Sequence, residues 1–211
     1  MIKRSGAPIR ILTVDDHPLV RDGIAAVLDA QPDMRLVGEA SSGAEAIALY
    51  RERRPDVTLM DLRMPDMSGL QAIATIRADF KNARIIVLTT YSGDVQAAAA
   101  LKAGAQGYLL KSLVRCELLA TIRAVHAGQR RIPAEVATEI AEHLADDYLT
   151  EREVEILKRV ASGWSNKVIA AQLDISEDTV KTHMKSVMDK LCARDRTHAV
   201  TIALRRGIFD L

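Results

Sequence analysis

The feature that most constrains this chain is an alternation that runs from residue 9 to about residue 128 and then stops. Short apolar runs rich in β-branched residues occur at Ile9–Val14, Arg35–Ala40, Val57–Met60, Arg84–Leu88 and Gly107–Leu110. Between them lie longer stretches whose apolar residues recur at helical intervals, such as Leu19, Val20, Ile24, Val27 and Leu28, or Leu118, Ile122 and Val125. Strands joined by helical crossovers are parallel, and right-handed crossovers place helices on both faces of the sheet. An α/β domain with a doubly wound, five-stranded parallel sheet is therefore expected over residues 1–128. The nearly unbroken apolar run Arg84–Leu88 suits a strand buried on both faces.

After Gly128 the pattern changes. Gln129–Pro133 breaks regular structure, and Val136, Ile140 and Leu144 then recur every four residues, which predicts a linker with one short helix over 129–147. From Tyr148 onward no strand candidate remains. Helices are expected at Glu151–Ala161, Asn166–Leu173, Glu177–Leu191 and Thr197–Arg205, a small all-α domain over 148–211. Thr150 and Glu153 have the spacing of a capping box, Gly163 suits a C-cap, and Ser165 and Ser176 are good N-caps. Two short helices joined by a capped turn read as a helix-turn-helix.

Composition excludes several classes. With 48% apolar and 27% charged residues the chain is soluble and ordered. Lys plus Arg (29) nearly balances Asp plus Glu (28), and residues 148–211 carry 11 against 9, a net of +2, so any surface for nucleic acid must be local. Cys116 and Cys192 sit in no metal-ligand spacing and are expected to be reduced thiols packed on helices. The first six residues lead into no apolar signal segment, and no run approaches the ~18 residues that span a bilayer. A cytoplasmic protein with no membrane partner is expected. No Walker-type phosphate loop and no hydrolase or oxidoreductase constellation is present, so the chain is not expected to be an enzyme in the ordinary sense.

Ligands of open α/β sheets bind beyond the carboxyl ends of the strands. Here the first strand runs into Asp15 and Asp16, the third into Asp61, the fourth into Thr89 and Thr90, and the fifth into Lys111. Singly, an Asp after a strand is an ordinary turn former and a Lys there is solvated. Together, three carboxylates and an ammonium converge on one crevice. Their mutual repulsion calls for a hard divalent cation such as Mg²⁺, which takes one or two carboxylates, waters and phosphate oxygens. Asp61 could then act as a nucleophile toward a phosphoryl group, with Lys111 and the Thr89 hydroxyl stabilising the charge that develops.

Val14-Asp15-Asp16-His17-Pro18, Met60-Asp61-Leu62-Arg63-Met64-Pro65-Asp66-Met67-Ser68-Gly69, Leu88-Thr89-Thr90 and Tyr108-Leu109-Leu110-Lys111 resemble the flavodoxin-like receiver domain of response regulators, over about residues 9–128. The resemblance implies that Asp61 is the phosphoacceptor and that Asp16 and Asp61 bind Mg²⁺ with the Arg63 backbone carbonyl. It further implies that Asp15 acts mainly through water, that Lys111 pairs with the phosphoryl group, and that Thr89 and Tyr108 form the switch, the aromatic turning inward. One departure is Ser112, where many receivers have Pro after the Lys; it places the cis peptide of that turn in question.

Leu149–Glu153, Gly163–Ala170 and Ile175–His183 are similar to the LuxR-type helix-turn-helix, so the whole chain resembles the NarL/FixJ class of regulators. That resemblance implies groove contacts from Lys181, Thr182 and Lys185, backbone contacts from Asn166, Lys167 and Thr179, and a structural His183. Helix Thr197–Arg205, with Ala199, Val200, Ile202 and Ala203, resembles the helix that pairs two such domains, although its small residues serve packing within one domain equally simply. The expected function is a phosphorylation-dependent transcriptional regulator of a two-component system, with a sensor histidine kinase and double-stranded DNA as partners and a homodimer when phosphorylated. Its only catalysis would be its own phosphoryl transfer and dephosphorylation. The rivals are a regulator that binds DNA whatever its phosphorylation, and a phosphotransfer protein whose C-terminal helices bind another protein.

Overall fold

The computed structural model describes residues 7–90, 93–143 and 148–209. Residues 7–90 and 97–134 make up one compact unit, and the second takes in residues 93–96, 135–143 and 148–209. No described helix is long and apolar enough to cross a membrane.

The first unit has five strands, β1 (Ile9–Val14), β2 (Met34–Ala40), β3 (Val57–Asp61), β4 (Ile85–Thr89) and β5 (Gly107–Leu110), all parallel and ordered β2-β1-β3-β4-β5. Helices α1 (Pro18–Asp29), α2 (Gly43–Arg53), α3 (Gly69–Asp79), α4 (Asp94–Ala103) and α5 (Val114–His126) make the crossovers. Every residue of β3 and β4 is buried, as inner parallel strands require, whereas edge strand β2 is mostly half-exposed. Ile24 and Leu28 of α1 and Leu118, Ile122 and Val125 of α5 pack with Ile11, Leu59, Ile86 and Leu109 in one core.

Two strands reach further than their apolar runs suggest. Asp61 stays in the ladder opposite Leu88, and Thr89 opposite Leu110, because neighbouring strands continue to supply backbone partners after the side chains turn polar. At the far edge, the Tyr108 amide donates to the Arg131 carbonyl at 2.8 Å and the Arg131 amide to Gln106 at 2.9 Å. A short bridge thus lies against β5. No cis peptide occurs among the described residues; Lys111 and Ser112 are joined in trans and lie in a single 3₁₀ turn, Lys111–Leu113.

Helix α6 (Ala134–Glu142) occupies the expected linker. It buries Val136 and half-buries Ile140, while Leu144 lies outside the described residues. The second unit continues with α7 (Glu151–Ala161), α8 (Asn166–Leu173), α9 (Glu177–Lys190) and α10 (Arg196–Arg205). Ile156, Leu157, Ile169, Val180, Met184 and Val187 form its core. Thr150 and Glu153 form the expected capping box, Ser165 and Ser176 cap α8 and α9, and Gly163 has the positive φ (83°) of a helix stop. Ala199 and Ala203 of α10 are fully buried in this core, so their small size serves packing within the domain.

Both cysteines are free, but the expectation that they are packed is corrected: both are exposed. Cys116 lies two residues from Leu118, on the opposite side of α5 from the buried stripe, and Cys192 occupies a left-handed turn (φ 49°) after α9.

Candidate functional site

The crevice forms where the strand order reverses between β1 and β3. Asp15 follows β1 and is fully buried, Asp61 ends β3 at 2% exposure, and Thr89 ends β4, also buried. From the turn after β5, the Lys111 ammonium reaches back to lie 2.7 Å from Asp15 Oδ2 and 2.7 Å from Asp61 Oδ2. One cation therefore bridges two buried carboxylates.

This one positive charge does not cancel the three carboxylates Asp15, Asp16 and Asp61. Burial raises the Asp61 carboxyl above its ordinary range, against the opposing pull of Lys111 and the Arg63 amide. Burial alone would lower the Lys111 ammonium, but Asp15 and Asp61 outweigh it and hold it above its ordinary value. The two shifts have different causes, burial at Asp61 and the neighbouring carboxylates at Lys111, and the pocket carries more negative than positive charge. Asp15, Asp16, His17 and Asp61 each offer a ligand atom within 4.8 Å of the others, close to the ~4.2 Å that separates opposite ligands of an octahedral Mg²⁺. The donor set and its excess charge fit a small divalent cation.

Local structure explains why these groups hold still. The Arg63 amide donates to Asp61 Oδ1 at 3.2 Å, and Arg21 of α1 donates to the Asp15 carbonyl at 2.6 Å. Gly69 opens α3 against the end of β3, its amide donating to the Leu62 carbonyl at 3.0 Å. A Cβ at Gly69 would stand 2.0 Å from the Asp61 carbonyl oxygen, so only glycine permits this approach. The motif that ends in Gly69 was visible in the sequence, but the signal for its role is a backbone distance. Tyr108, expected to turn inward, is buried at 1% exposure beside Val87 of β4.

In the second unit, Lys181, Thr182 and Lys185 lie exposed on the outer face of α9, while Val180, Met184 and Val187 face the core. Lys181 pairs with Asp178 at 3.0 Å, and the Thr182 hydroxyl donates to the Asp178 carbonyl. Asn166 and Lys167 open α8, and Thr179 meets the Ser176 hydroxyl at 2.8 Å in the first turn of α9. His183 is half-buried at the border of the apolar stripe.

A third group has no sign in the sequence beyond the capping-box spacing: Glu153 is buried and also accepts from Ser186 at 2.7 Å and Lys190 at 2.8 Å on α9. Burial pushes its carboxyl up, but Lys190, Ser186 and Thr150 together outweigh this and bring it down to about 2. This cluster fixes α9 against α7.

Comparison with known proteins agrees with both halves. Residues 11–123 match the model of the response regulator receiver domain, and residues 147–203 that of the bacterial regulatory proteins of the luxR family. The chain is 41% identical over 210 residues to the transcriptional regulatory protein LiaR of Bacillus subtilis (strain 168), covering 96% of this chain and 100% of that one. Among solved structures, the response regulator ChrA of a heme-sensing two-component system is 35% identical, with a TM-score of 0.58, over 97% of this chain and 100% of that one. The response regulator RcsB, in a complex with DNA, is 26% identical with a TM-score of 0.68, over 94% and 98%. With a receiver fold and its acidic crevice ahead of a LuxR-type helix-turn-helix, the chain belongs to the response regulators of two-component systems and is a transcriptional regulator of the NarL/FixJ class.

Proposed function

We propose that Asp61 accepts a phosphoryl group from a sensor histidine kinase, and that this modification controls how the chain binds double-stranded DNA. The observation that carries the proposal is the Lys111 ammonium poised 2.7 Å from both Asp15 and Asp61 in a buried crevice of excess negative charge. In this reading residues 1–128 act as the receiver, 129–147 as the linker and 148–211 as the DNA reader.

An Asp61 oxygen attacks phosphorus as the bond to the kinase's histidine nitrogen breaks, and that imidazole leaves with the electron pair. Asp16, Asp61 and the Arg63 carbonyl would hold Mg²⁺, with Asp15 contributing through water; when bound, the ion supplies positive charge to the phosphoryl oxygens. Lys111 exchanges a carboxylate partner for a phosphoryl oxygen, and the Thr89 hydroxyl donates to another. Attack by water later releases inorganic phosphate, a self-catalysed reset. Contacts of the new group with Thr89 and Lys111 exist in one state only, which is what a two-state switch requires, and Tyr108 packs with the Thr89 state.

Lys181, Thr182 and Lys185 reach into the major groove, while Asn166, Lys167 and Thr179 hold phosphates. RcsB in its complex with DNA supports this use of the shared fold. Phosphorylated chains pair as homodimers, which lets two α9 helices read two half-sites. Kinase and DNA are met together in the cytoplasm, the setting this reading requires.

Treatment with a radiolabelled small phosphodonor and Mg²⁺ should label the chain stoichiometrically and label Asp61→Ala not at all. Persistent labelling of Asp61→Ala would sink the assignment. DNA affinity and oligomeric state unchanged by the phosphodonor would favour a regulator that binds DNA regardless of phosphorylation.

A further inference from the structure

We infer that His17 is an additional ligand of the cation pocket, giving it a nitrogen donor and a tolerance for transition-metal ions that carboxylates and carbonyls alone would not provide. The inference rests on the reading that the crevice binds a divalent cation.

His17 precedes Pro18, which opens α1, and it stands at the N-cap with an extended backbone (φ −90°, ψ 110°). A residue there commonly turns its side chain back to cap the helix. His17 makes no such bond. Its ring instead faces the carboxylates: Nδ1 lies 3.2 Å from Asp15 Oδ1 and 2.7 Å from Asp16 Oδ1. The His17 amide also donates to Asp15 Oδ1 at 2.9 Å, which holds the residue in this orientation.

The two ring distances differ in kind. The approach to Asp15 has hydrogen-bond geometry, whereas Asp16 Oδ1 is buried and, despite the 2.7 Å approach, receives no aligned hydrogen bond. A histidine that merely oriented Asp15 from behind would need only the first contact. An imidazole nitrogen and a carboxylate oxygen brought close without a shared hydrogen are placed as two ligands of one ion. His17 Nδ1 belongs to the same group of converging ligand atoms as Asp15, Asp16 and Asp61.

On binding, the Nδ1 lone pair forms the bond to the ion while the other ring nitrogen, Nε2, carries the ring proton. The His17 side chain is 65% exposed, so solvent reaches the ring. Imidazole raises affinity for later first-row ions far more than for Mg²⁺, which prefers oxygen.

The test uses Co²⁺, one equivalent per full-length chain, in competition with Mg²⁺. Wild type should show a strongly shifted, solvent-exchangeable imidazole N–H resonance by proton NMR. His17→Ala should retain Mg²⁺ binding, lose that resonance, and lower the Co²⁺-to-Mg²⁺ affinity ratio by about tenfold. His17→Gln, which keeps a polar side chain in the loop, should behave in the same way and so separates ligation from loop disturbance. Co²⁺ bound in an Asp61-dependent manner without the shifted resonance, or with an affinity ratio unchanged by either variant, overturns the inference and leaves the cation reading standing. If neither ion binds in a manner sensitive to Asp61→Asn, both fall.

Discussion

The Lys190 ammonium lies 2.8 Å from a carboxylate oxygen of Glu153, tying the C-terminal end of α9 to the first turn of α7. Glu153 is held at about 2, against an ordinary 4.5, so its interactions stabilise the folded state fully above about pH 4.5 and are lost as pH falls through 2. The shift corresponds to about 3 kcal/mol. Glu153→Gln should flatten the acid limb of stability across this window, measured by urea unfolding at a series of pH values. An acid limb identical to wild type would remove Glu153 from that role. Lys190→Met, which strands the buried carboxylate, should cost about 3 kcal/mol near neutrality.

The Lys111 ammonium lies 2.7 Å from both Asp15 and Asp61 within the crevice, so its removal leaves two buried carboxylates without that compensation. Lys111→Met should lose about 3 kcal/mol of ion-free stability. Mg²⁺ should restore more stability to this variant than to wild type, because the ion replaces the missing ammonium. Thermal unfolding with and without Mg²⁺ measures both effects. A smaller Mg²⁺ response than wild type would contradict the charge argument.

At Gly69 a methyl group would overlap the Asp61 backbone. Gly69→Ala should force β3 and α3 apart and cost about 2–3 kcal/mol, with slower phosphorylation by a small donor because the nucleophile moves. Gly128, where an added Cβ meets nothing but the φ is +86°, serves as the comparison: Ala there should lower stability through backbone strain alone, with phosphorylation rate unchanged.

Exposed Lys181 and Lys185 differ in their surroundings, since Lys181 also pairs with Asp178 and Glu177. Replacing either lysine with Ala should lower the slope of log affinity for DNA against log salt by about 1. Asp178→Asn, which frees Lys181 from its local partner, should raise non-specific affinity. Slopes unchanged in both lysine variants would move the DNA-binding surface elsewhere.

The sheet was legible because crossover helices and buried parallel strands write themselves into hydrophobic periodicity, and Ile9–Val14 and Gly107–Leu110 have the bounds expected of them. The strand ends were less so: Asp61 and Thr89 look like loop residues by side chain, yet their backbones remain in the ladder. The convergence of Asp15, Asp16, Asp61 and Lys111 followed from topology alone. The place of His17 did not, because a ring beside a helix start has no sequence signature that separates a cap from a ligand. Nor did the Glu153–Lys190 pair, where 37 residues intervene and the capping box already seemed to explain the carboxylate.

The bridge from Arg131 to β5 bears on how this chain can be divided. An uncovered strand edge is a template for another molecule's backbone. A fragment ending at Gly128 strips the Tyr108 amide of its Arg131 acceptor and leaves that margin bare, inviting self-association, whereas a fragment carried through Pro133 keeps it shielded.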